Sequence, residues 1–332
     1  MIEKLSRVCV IGGAGYVGSR LIPRLLKDGY KVTVLDTFWY GLEIFSNFKE
    51  NNKLRIIEGD IRDLSAVKLA IQDCNAVIHL ACISNDPSFD LNPKLGKSIN
   101  LDSFRPLVGL CKDNGIQRFI FASSSSVYGI KDEEKVTENL ALEPLTDYSR
   151  FKAECEEILL EHSSEEFVTT ILRPATVCGY SKRQRFDLAV NILTNHAINL
   201  GEIRVFGGSQ FRPNLHIEDM VDAYLAVLEE KSEFVRHEIF NVGGENLSLD
   251  EIALIVSKRT GVTNIVHSET SDLRSYRVDS SKILEKIGFT PKRSVENAVE
   301  DLINGFKKSK YIDSLDNSLY FNIKRMKELG LG

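Results

Sequence analysis

Tyr148 and Lys152 stand four residues apart, near the start of a predicted helix over 147–162. Residues with this spacing share one helix face, so the lysine ammonium lies close to the phenol. A nearby cation lowers the pKa of a tyrosine from about 10 towards working pH. The phenolate can then take a hydroxyl proton while a hydride leaves the same carbon. The same spacing also fits a packed tyrosine beside a solvated lysine, so the pair needs support from other motifs.

A run of serines, 123–126, follows a predicted strand over 118–122. The carboxyl ends of strands form the edge at which open α/β sheets bind ligands. One serine hydroxyl at this edge would orient the substrate oxygen that Tyr148 deprotonates. Taken by itself, the run is also ordinary loop composition.

A glycine-rich turn joins an apolar strand over 7–11 to a helix that begins near residue 16. Glycine permits the tight turn, a close approach of backbone to pyrophosphate, and close packing of helix on strand. The N–H groups at the helix N-terminus are donors for the phosphates. The residues predicted to bind the dinucleotide here are Gly12, Gly15, Tyr16, Val17 and Gly18. Glycines also mark structural turns, but here strand, helix and an acidic partner occur together.

The acidic partner is Asp36, at the end of the second predicted strand. A carboxylate there can accept hydrogen bonds from the adenine-ribose hydroxyls and would repel a 2′-phosphate. Residues 37–40 contain no arginine to receive that phosphate, so NAD is predicted over NADP. The alternative is that Asp36 only caps a loop. Asp60 and Ile61, past the third strand, are placed to contact adenine, although a Gly-Asp turn is also an ordinary loop feature.

Short β-branched runs alternate with amphipathic stretches through the first half of the chain, a pattern typical of βαβ units with a parallel sheet. Predicted strands cover 7–11, 31–35, 54–58, 76–80, 118–122 and 167–172, and predicted helices cover 16–27, 65–71, 93–114 and 147–162. Several strands are apolar on both faces, as burial between two helix layers requires. The predicted fold class is α/β with a doubly wound parallel sheet.

Length, charge and cysteine usage exclude several classes of protein. The 332 residues exceed the roughly 150 of one small domain and fit two lobes of one globule. A formal net charge of −5 argues against a chain built to coat nucleic acid or an anionic membrane. No apolar run reaches the length of a spanning helix, and no export signal is visible. Six cysteines without a C-x-x-C pair or a histidine at zinc-ligand spacing predict reduced thiols, no metal site and a cytoplasmic location.

The glycine turn, Asp36, the serine strand end and the Tyr-x-x-x-Lys helix together resemble the extended short-chain dehydrogenases/reductases, and among them the NAD-dependent epimerase/dehydratase group that acts on nucleotide sugars. Further motifs of that family match at 173–179, 211–219 and 241–244, so the resemblance covers nearly the whole chain. It implies a Rossmann domain that binds NAD in residues 1–178, with returning segments near 214–243. A smaller, discontinuous lobe of residues 179–213 and 244–332 would bind the nucleotide-diphosphate sugar. A homo-oligomer, either a dimer or a tetramer, is expected.

The resemblance also implies roles for single residues. The family pattern makes Ser124 the catalytic serine and Tyr148 and Lys152 the catalytic pair. Besides Tyr148, Lys152 and the residues of the glycine turn, the implied cofactor contacts are Leu80, Ala81, Cys82, Asn100 and Ser123. Cys82 stands where the family usually has a small residue. The implied substrate contacts are Ser84, Ser124, Thr176, Arg185, Asn191, Arg212 and Arg274. Arg212 and Arg274 resemble pyrophosphate contacts, which suits guanidinium forks, although each could also be a surface ion pair.

The residues after the catalytic serine separate the branches of the family. Dehydratases carry Asp-Glu directly after the catalytic hydroxyl residue, and the related decarboxylases carry a Glu there. Here these positions are Ser125 and Ser126, which cannot serve as an acid or base of suitable pKa. Simple redox chemistry at one sugar carbon, C4, is therefore predicted.

Two outcomes share that first step. A 4-dehydrogenase releases the 4-keto sugar, whereas a 4-epimerase returns the hydride to the other face. Segments 83–88 and 185–188 resemble a subgroup that includes dehydrogenases of GDP-linked heptoses, so the sequence favours an NAD-dependent 4-dehydrogenase, with a nucleotide-sugar 4-epimerase as the alternative. A further alternative is a non-catalytic NAD-binding sensor. Such a protein would not need the serine, the tyrosine and the lysine at these positions, and this chain has all three. A reductase of non-nucleotide carbonyls would leave Arg212 and Arg274 without a role.

Overall fold

Strands and helices alternate along the chain in the computed structural model, which describes residues 5–48, 50–270 and 275–332. The strands in this part of the chain are β1 (Arg7–Ile11), β2 (Lys31–Asp36), β3 (Leu54–Glu58), β4 (Ala76–His79), β5 (Arg118–Ala122), β6 (Val168–Pro174), β7 (Thr176–Cys178), β8 (Ile203–Phe206), β9 (Phe211–His216), β10 (Glu238–Val242), β11 (Glu245–Ser248) and β12 (Ile265–Ser268). The α-helices are α1 (Gly18–Lys27), α2 (Leu64–Ile71), α3 (Asp86–Leu91), α4 (Pro93–Lys97), α5 (Phe104–Asp113), α6 (Asp147–His162), α7 (Ala189–Leu200), α8 (Ile217–Glu229), α9 (Ser232–Val235), α10 (Leu249–Thr260), α11 (Ser281–Ile287), α12 (Val295–Lys307) and α13 (Asn322–Glu328). A π-helical turn covers Ser98–Asp102, and 3₁₀ turns cover Glu43–Phe48, Ser125–Tyr128 and Ser318–Tyr320.

Seven strands form one parallel sheet in the order β10-β6-β5-β4-β1-β2-β3. The direction of winding reverses between β1 and β4, because β2 and β3 lie on one side of β1 and the later strands on the other. Ile11 pairs with Leu35 of β2 and with His79 of β4, so these three strands end at the same level. Such a reversal opens a crevice at the carboxyl ends of the strands, where α/β sheets bind ligands. The predicted fold class, α/β with a doubly wound parallel sheet, is confirmed.

Helices cover both faces of this sheet. Val10 of β1 packs into a core with Leu25 of α1, on the face that also carries α8. The neighbouring Cys9 packs into a second core with Leu107 of α5 and Leu159 of α6. Successive side chains of a strand point to opposite faces, so a strand that is apolar at every position is buried on both sides.

The second half of the chain builds a smaller unit and also returns to the first sheet. A three-stranded sheet has the order β11-β9-β7, and β8 pairs with β12 in a two-stranded parallel sheet. Helices α7, α10 and α12 enclose a third core that contains Val190, Ile252 and Val299. Strand β10 lies beside β6 at the edge of the seven-stranded sheet. The chain therefore crosses between the two units more than once, which places residues from both at the crevice.

The region predicted as one helix over 93–114 differs in the structure. It consists of α4, the π-helical turn and α5. Pro106 has no backbone N–H, and its ring would collide with the carbonyl of Asp102 in a continuous α-helix, so the regular helix is interrupted before α5 begins at Phe104. The interruption gives Asn100, in the π-helical turn, a position from which its side chain reaches the segment after β4.

Candidate active site

A cavity of about 540 Å³ lies at the carboxyl edge of the seven-stranded sheet and is closed on its other side by residues after β7 and near the C-terminus. Nearly all residues that the sequence analysis assigns to the cofactor or the substrate line this cavity. They are Gly12, Gly15, Tyr16, Val17, Gly18, Asp36, Asp60, Ile61, Leu80, Ala81, Cys82, Ser84, Ser123, Ser124, Tyr148, Lys152, Thr176, Arg185 and Arg212. Arg274 lies outside the described residues.

The glycine turn brings the end of β1 close to the segment after β4. Gly12 has a φ of +82°, a backbone conformation that residues with a Cβ rarely adopt. A Cβ at this position would also overlap the backbone nitrogen of Ala81. The backbone nitrogens of Leu80 and Ala81 both donate to the carbonyl of Ile11, at 2.8 Å and 3.0 Å. The backbone at this end of the cavity is therefore closely packed, and the turn leaves room for a ligand only on its cavity side.

Asp36 is held in place by main-chain donors. Its Oδ2 accepts a hydrogen bond from the backbone nitrogen of Ala14 at 2.8 Å, and its Oδ1 accepts one from that of Phe38 at 2.9 Å. Burial raises the pKa of the Asp36 carboxyl, while these backbone hydrogen bonds lower it. The fixed carboxyl group at the end of β2 is suited to accept hydrogen bonds from a ribose.

The sequence analysis missed a guanidinium near this carboxylate. Arg183, from the segment after β7, lies close enough to lower the pKa of Asp36, and its guanidinium carbon stands 3.6 Å from the centre of the Tyr40 ring. Its Nε has no hydrogen-bond partner among the residues that the structure describes. Because residues 37–40 contain no arginine, no local pattern indicated a cation here.

Asp60 is engaged with a neighbouring arginine. Hydrogen bonds from Arg62 lower the pKa of the Asp60 carboxyl, with Arg62 Nη2 at 2.6 Å from Asp60 Oδ2. Both Asp60 and Ile61 face the same end of the cavity as Asp36.

Tyr148 lies in the first turn of α6. Thr146 caps this helix, and its Oγ1 accepts a hydrogen bond from the backbone nitrogen of Ser149. The Tyr148 side chain is 9% exposed, and burial raises the pKa of its phenol well above the ordinary value. The nearby Cys82 and Asp86 side chains raise that pKa further, whereas the Arg185 guanidinium and the Ser124 hydroxyl lower it. The structure thus sets Tyr148 beside Ser124, as the sequence analysis predicts, and adds Arg185.

Lys152 lies one turn further along the same helix. Its Nζ donates to the carbonyl of Ala122 at 2.6 Å and stands 4.6 Å from the centre of the Phe121 ring. The sequence analysis predicts that this ammonium lowers the pKa of Tyr148, whereas in the structure burial dominates and the pKa is raised. The difference arises because the ammonium is engaged with the end of β5, while the phenol is largely removed from water.

The four serines after β5 have different partners. Ser124 and Ser126 share a hydrogen bond between their hydroxyls at 2.9 Å, and the Ser124 hydroxyl also accepts from the backbone nitrogen of Ser126. The Ser125 hydroxyl lies 3.2 Å from the Tyr276 hydroxyl. Ser123 donates to the carboxylate of Glu156, away from the reacting groups. Of the four serines, Ser124 is the one whose hydroxyl lowers the pKa of the Tyr148 phenol, and its catalytic role stays a prediction.

A buried ion pair lies behind the serines. Arg173 of β6 donates through Nη2 to Glu156 of α6 at 2.5 Å, and through Nη1 to the Tyr128 hydroxyl at 2.8 Å. Glu156 follows Lys152 by one helical turn, so the face that carries Tyr148 and Lys152 continues to this carboxylate. The same spacing could have identified it from the sequence.

Arg185 has three nitrogens with different surroundings. Nε donates to Asp187 at 2.8 Å, and Nη1 donates to the Ser84 hydroxyl at 3.2 Å. Nη2 has no hydrogen-bond partner in the described part of the chain, although the side chain is nine-tenths buried. A buried donor without a partner costs free energy, so a ligand that accepts from Nη2 would be stabilised.

Two predicted contacts do not line the cavity. The Asn100 amide bonds to both backbone groups of Ile83, at 2.8 Å and 2.9 Å. The Asn191 side chain accepts from the backbone nitrogen of Gly179 and donates to the Tyr16 hydroxyl and the Arg185 carbonyl. Each amide group forms its hydrogen bonds with other protein groups. These asparagines therefore hold segments of the cavity wall in place instead of facing a ligand.

The described residues contain neither a metal-ligand cluster nor a membrane-spanning helix. No cluster of three or more His, Cys, Asp or Glu side chains there could hold a metal ion. None of the helices in that part of the chain is long and apolar enough to cross a membrane.

The model of the NAD dependent epimerase/dehydratase family matches residues 8–243, which is most of the chain. This protein belongs to that family. The match spans the glycine turn, Asp36, the serines and the Tyr148 helix, and it ends just after β10.

Two curated relatives of this family member are named as UDP-sugar 4-epimerases. It is 28% identical over 319 residues to UDP-glucose 4-epimerase of Lactobacillus helveticus, covering 90% of this chain and 94% of the relative. It is 28% identical over 324 residues to UDP-arabinose 4-epimerase 1 of Arabidopsis thaliana, covering 87% of this chain and 76% of the relative.

A solved structure in the family is also similar. The Bacillus cereus UDP-glucuronic acid 4-epimerase, solved in complex with UDP-glucuronic acid and NAD, is 26% identical with a TM-score of 0.82, and the match covers 91% of this chain and 99% of that chain.

This epimerase/dehydratase family member is an NAD-dependent enzyme. The residues of the cavity fit the cofactor, because the glycine turn admits no Cβ at Gly12 and the Asp36 carboxylate is fixed for a ribose. The glycine turn and Asp36 would hold its adenosine diphosphate half, and the segment 80–82 would lie along its nicotinamide half.

Proposed function

We propose that this enzyme is a nucleotide-sugar 4-epimerase that acts on a UDP-linked sugar. The observation that carries the proposal is that Ser124, Tyr148 and Lys152 line one cavity together with the glycine turn and Asp36. The named relatives, which are UDP-sugar 4-epimerases, support the epimerase over the 4-dehydrogenase that the sequence favours. A GDP-linked heptose has no support among them.

The chain supplies the proton chemistry of this reaction. Ser124 orients the C4 hydroxyl, and the Tyr148 phenolate accepts its proton while the C4–H bond breaks and the C4 carbonyl forms. The removal of the hydride from C4 and its later return would be the chemistry that NAD supplies when it is bound. Tyr148 gives the proton back to the oxygen when the opposite face of the sugar is reduced. The cycle has no net oxidation, so it requires no external electron acceptor.

The environment of Tyr148 determines when the phenolate forms. Burial opposes ionisation, so the charged form depends on nearby cations and donors. Arg185 and the Ser124 hydrogen bond favour it, and Lys152 stands one turn along α6. We expect Lys152 to act mainly through the end of β5, whose carbonyl it contacts.

The serines after Ser124 support epimerisation over dehydration. Ser126 bonds to Ser124, and Ser125 lies within reach of the Tyr276 hydroxyl. A 4,6-dehydratase needs an acid and a base at these two positions, and a hydroxyl serves as neither near neutral pH.

The second unit is proposed to bind the nucleotide-sugar. Arg185 and Arg212 line the cavity from that side, and Ser84, after β4, and Thr176, in β7, line it as well. Guanidinium groups pair well with phosphate or carboxylate oxygens. The division into an NAD-binding domain, residues 1–178 with segments near 214–243, and a substrate lobe of the remaining residues belongs to this proposal.

The experiment follows sugar products by NMR after incubation with NAD and with UDP-glucose, UDP-glucuronic acid, UDP-arabinose or a GDP-linked sugar. Each reaction is run with and without a small keto-acid acceptor. The C4 epimer of a UDP-sugar is expected without any acceptor. A keto sugar that accumulates only with the acceptor would instead establish the 4-dehydrogenase, and no turnover of any nucleotide sugar would contradict both.

A further inference from the structure

The last helix of the chain brings an asparagine to the cavity. Asn322 begins α13, is 3% exposed and lines the cavity. It lies well beyond residue 243, where the family match ends. The segment that carries it is anchored on both sides, because the carbonyl of Tyr320 accepts from the backbone nitrogen of Phe186 and Arg325 donates to the carbonyl of Trp39.

The Asn322 amide joins three segments that border the cavity. Its Oδ1 accepts from the Tyr40 hydroxyl at 3.0 Å and from Arg183 Nη2 at 2.6 Å. Its Nδ2 donates to the Ser84 hydroxyl at 3.0 Å. Its backbone nitrogen donates to Asp187 Oδ2 at 3.1 Å. These partners follow β2, β4 and β7, so the amide connects three segments that are distant in sequence.

Two of these partners are the groups that hold Arg185. Asp187 accepts from Arg185 Nε through its other oxygen, Oδ1, and the Ser84 hydroxyl accepts from Arg185 Nη1. Asn322 therefore fixes both hydrogen-bond acceptors of that guanidinium. Arg185 in turn is close enough to Tyr148 to favour its ionised form.

We infer that Asn322 is a positioning residue, which fixes the Arg185 guanidinium beside Tyr148 through Ser84 and Asp187. An amide is suited to this task because it offers an acceptor and a donor on one planar group. An aspartate of the same shape keeps the acceptor for Tyr40 and Arg183 but cannot donate to Ser84. The inference rests on the proposed function only in taking Tyr148 as the base.

The first test observes Arg185 without any substrate. In protein labelled with ¹⁵N-arginine, the side-chain resonances of Arg185 are assigned by their loss in Arg185→Lys, and the exchange of its Nη–H protons with water is measured. Asn322→Ala and Asn322→Asp are expected to exchange at Nη at least about tenfold faster than the wild type, because the Ser84 acceptor of Nη1 loses the amide that fixes it, whereas the backbone donor to Asp187 remains. Lys327→Ala, an exposed change on the same helix, is the control and should leave the rate unchanged. Unchanged exchange in both Asn322 variants would overturn the inference.

The second test measures what the position of Arg185 does for the reaction. Both Asn322 variants are expected to lose about 10- to 100-fold in kcat/KM for C4 epimerisation, since small misplacements of a site group carry losses of this size. The rising limb of the kcat–pH profile should move to higher pH, because the phenolate loses part of its stabilisation. A lower melting temperature with normal kinetics and a normal pH profile would show a merely structural role and overturn the inference.

A double variant completes the design and separates this inference from the proposed function. If Asn322 acts through Arg185, then Arg185→Ala with Asn322→Ala should be no slower than Arg185→Ala alone, whereas additive losses would contradict this. A wild-type enzyme that epimerises no sugar would refute the proposed function, and the exchange measurement would still decide the place of Arg185.

Discussion

The cavity has two walls that differ in how their polar groups are held. In the dinucleotide wall, which we define as residues 12–18, Asp36 and 80–82, most polar contacts run to main-chain atoms, such as those from Ala14 and Phe38 to Asp36. In the second-lobe wall, defined as residues 179–187 and Asn322, several polar contacts join two side chains, such as those of Arg183 with Asn322 and of Arg185 with Asp187.

This difference has a physical consequence for sequence change. Main-chain donors are present whatever the side chains are, so the dinucleotide wall depends on backbone shape and on a few glycines. The second-lobe wall depends on pairs of side chains from distant parts of the chain, and each pair is lost when one member changes. A family that keeps one cofactor and varies its substrates can therefore conserve the first wall and rebuild the second. The variants below test this distinction.

The largest effect is expected at Tyr148, which stands between the walls. Tyr148→Phe removes the proton acceptor and keeps the ring, so turnover should fall by roughly 10²- to 10⁴-fold with little change in melting temperature. Initial rates with the best UDP-sugar and thermal unfolding measure the two quantities. Tyr180→Phe, outside the cavity lining, serves as the matched control. Near-normal turnover of Tyr148→Phe would mean that another group is the base.

A loss of stability is expected at the buried ion pair behind the serines. Glu156→Gln leaves the Arg173 guanidinium charged and buried without a carboxylate, which should cost about 3–5 kcal/mol in the free energy of unfolding. Denaturant unfolding measures this cost, with Glu157→Gln on the exposed side of α6 as the control. Equal stabilities of the two variants would show that this ion pair does not stabilise the fold.

A pair of glycine variants tests the role of backbone shape. Gly12 and Gly29 both have positive φ, but a Cβ meets the backbone nitrogen of Ala81 at Gly12 and nothing within 4 Å at Gly29. Gly29→Ala should lose only the strain of a left-handed residue, about 1–2 kcal/mol. Gly12→Ala should lose more stability and should also bind NAD more weakly. Calorimetry with NAD distinguishes them, and equal NAD affinity of the two variants would refute the special role of Gly12.

The sequence predicts the dinucleotide wall better than the second-lobe wall for the same reason. Asp36 and the Tyr148–Lys152 pair lie in short segments whose strand or helix sets their direction, so local spacing is enough to find them. Asn322 and Arg183 meet only after the chain has folded, and no periodicity links them. Spacing reveals a lysine near Tyr148 but not the burial of the phenol, which raises its pKa.

The smallest effect is expected in the choice of dinucleotide. The ionised Asp36 should repel a 2′-phosphate, so the wild type should bind NAD more tightly than NADP. Arg183 is close to Asp36 and offsets part of this repulsion, which limits the preference. Asp36→Asn keeps the shape and removes the charge, so the ratio of the NADP to the NAD dissociation constant should fall about tenfold, near the size of one exposed charge interaction.

The pH dependence of this ratio sharpens the test. Burial raises the pKa of the Asp36 carboxyl, so protonation removes the repulsive charge at a higher pH than for an exposed aspartate. The wild-type preference for NAD should therefore decline as the pH falls through that raised pKa. The 2′-phosphate also loses charge near pH 6, at about its second pKa, and Asp36→Asn shows how much of the decline belongs to the phosphate. If the wild type and the variant gave the same ratio of the NADP to the NAD dissociation constant at every pH, Asp36 would not be the residue that selects NAD. The main-chain contacts that hold the Asp36 carboxylate would then serve the fold alone.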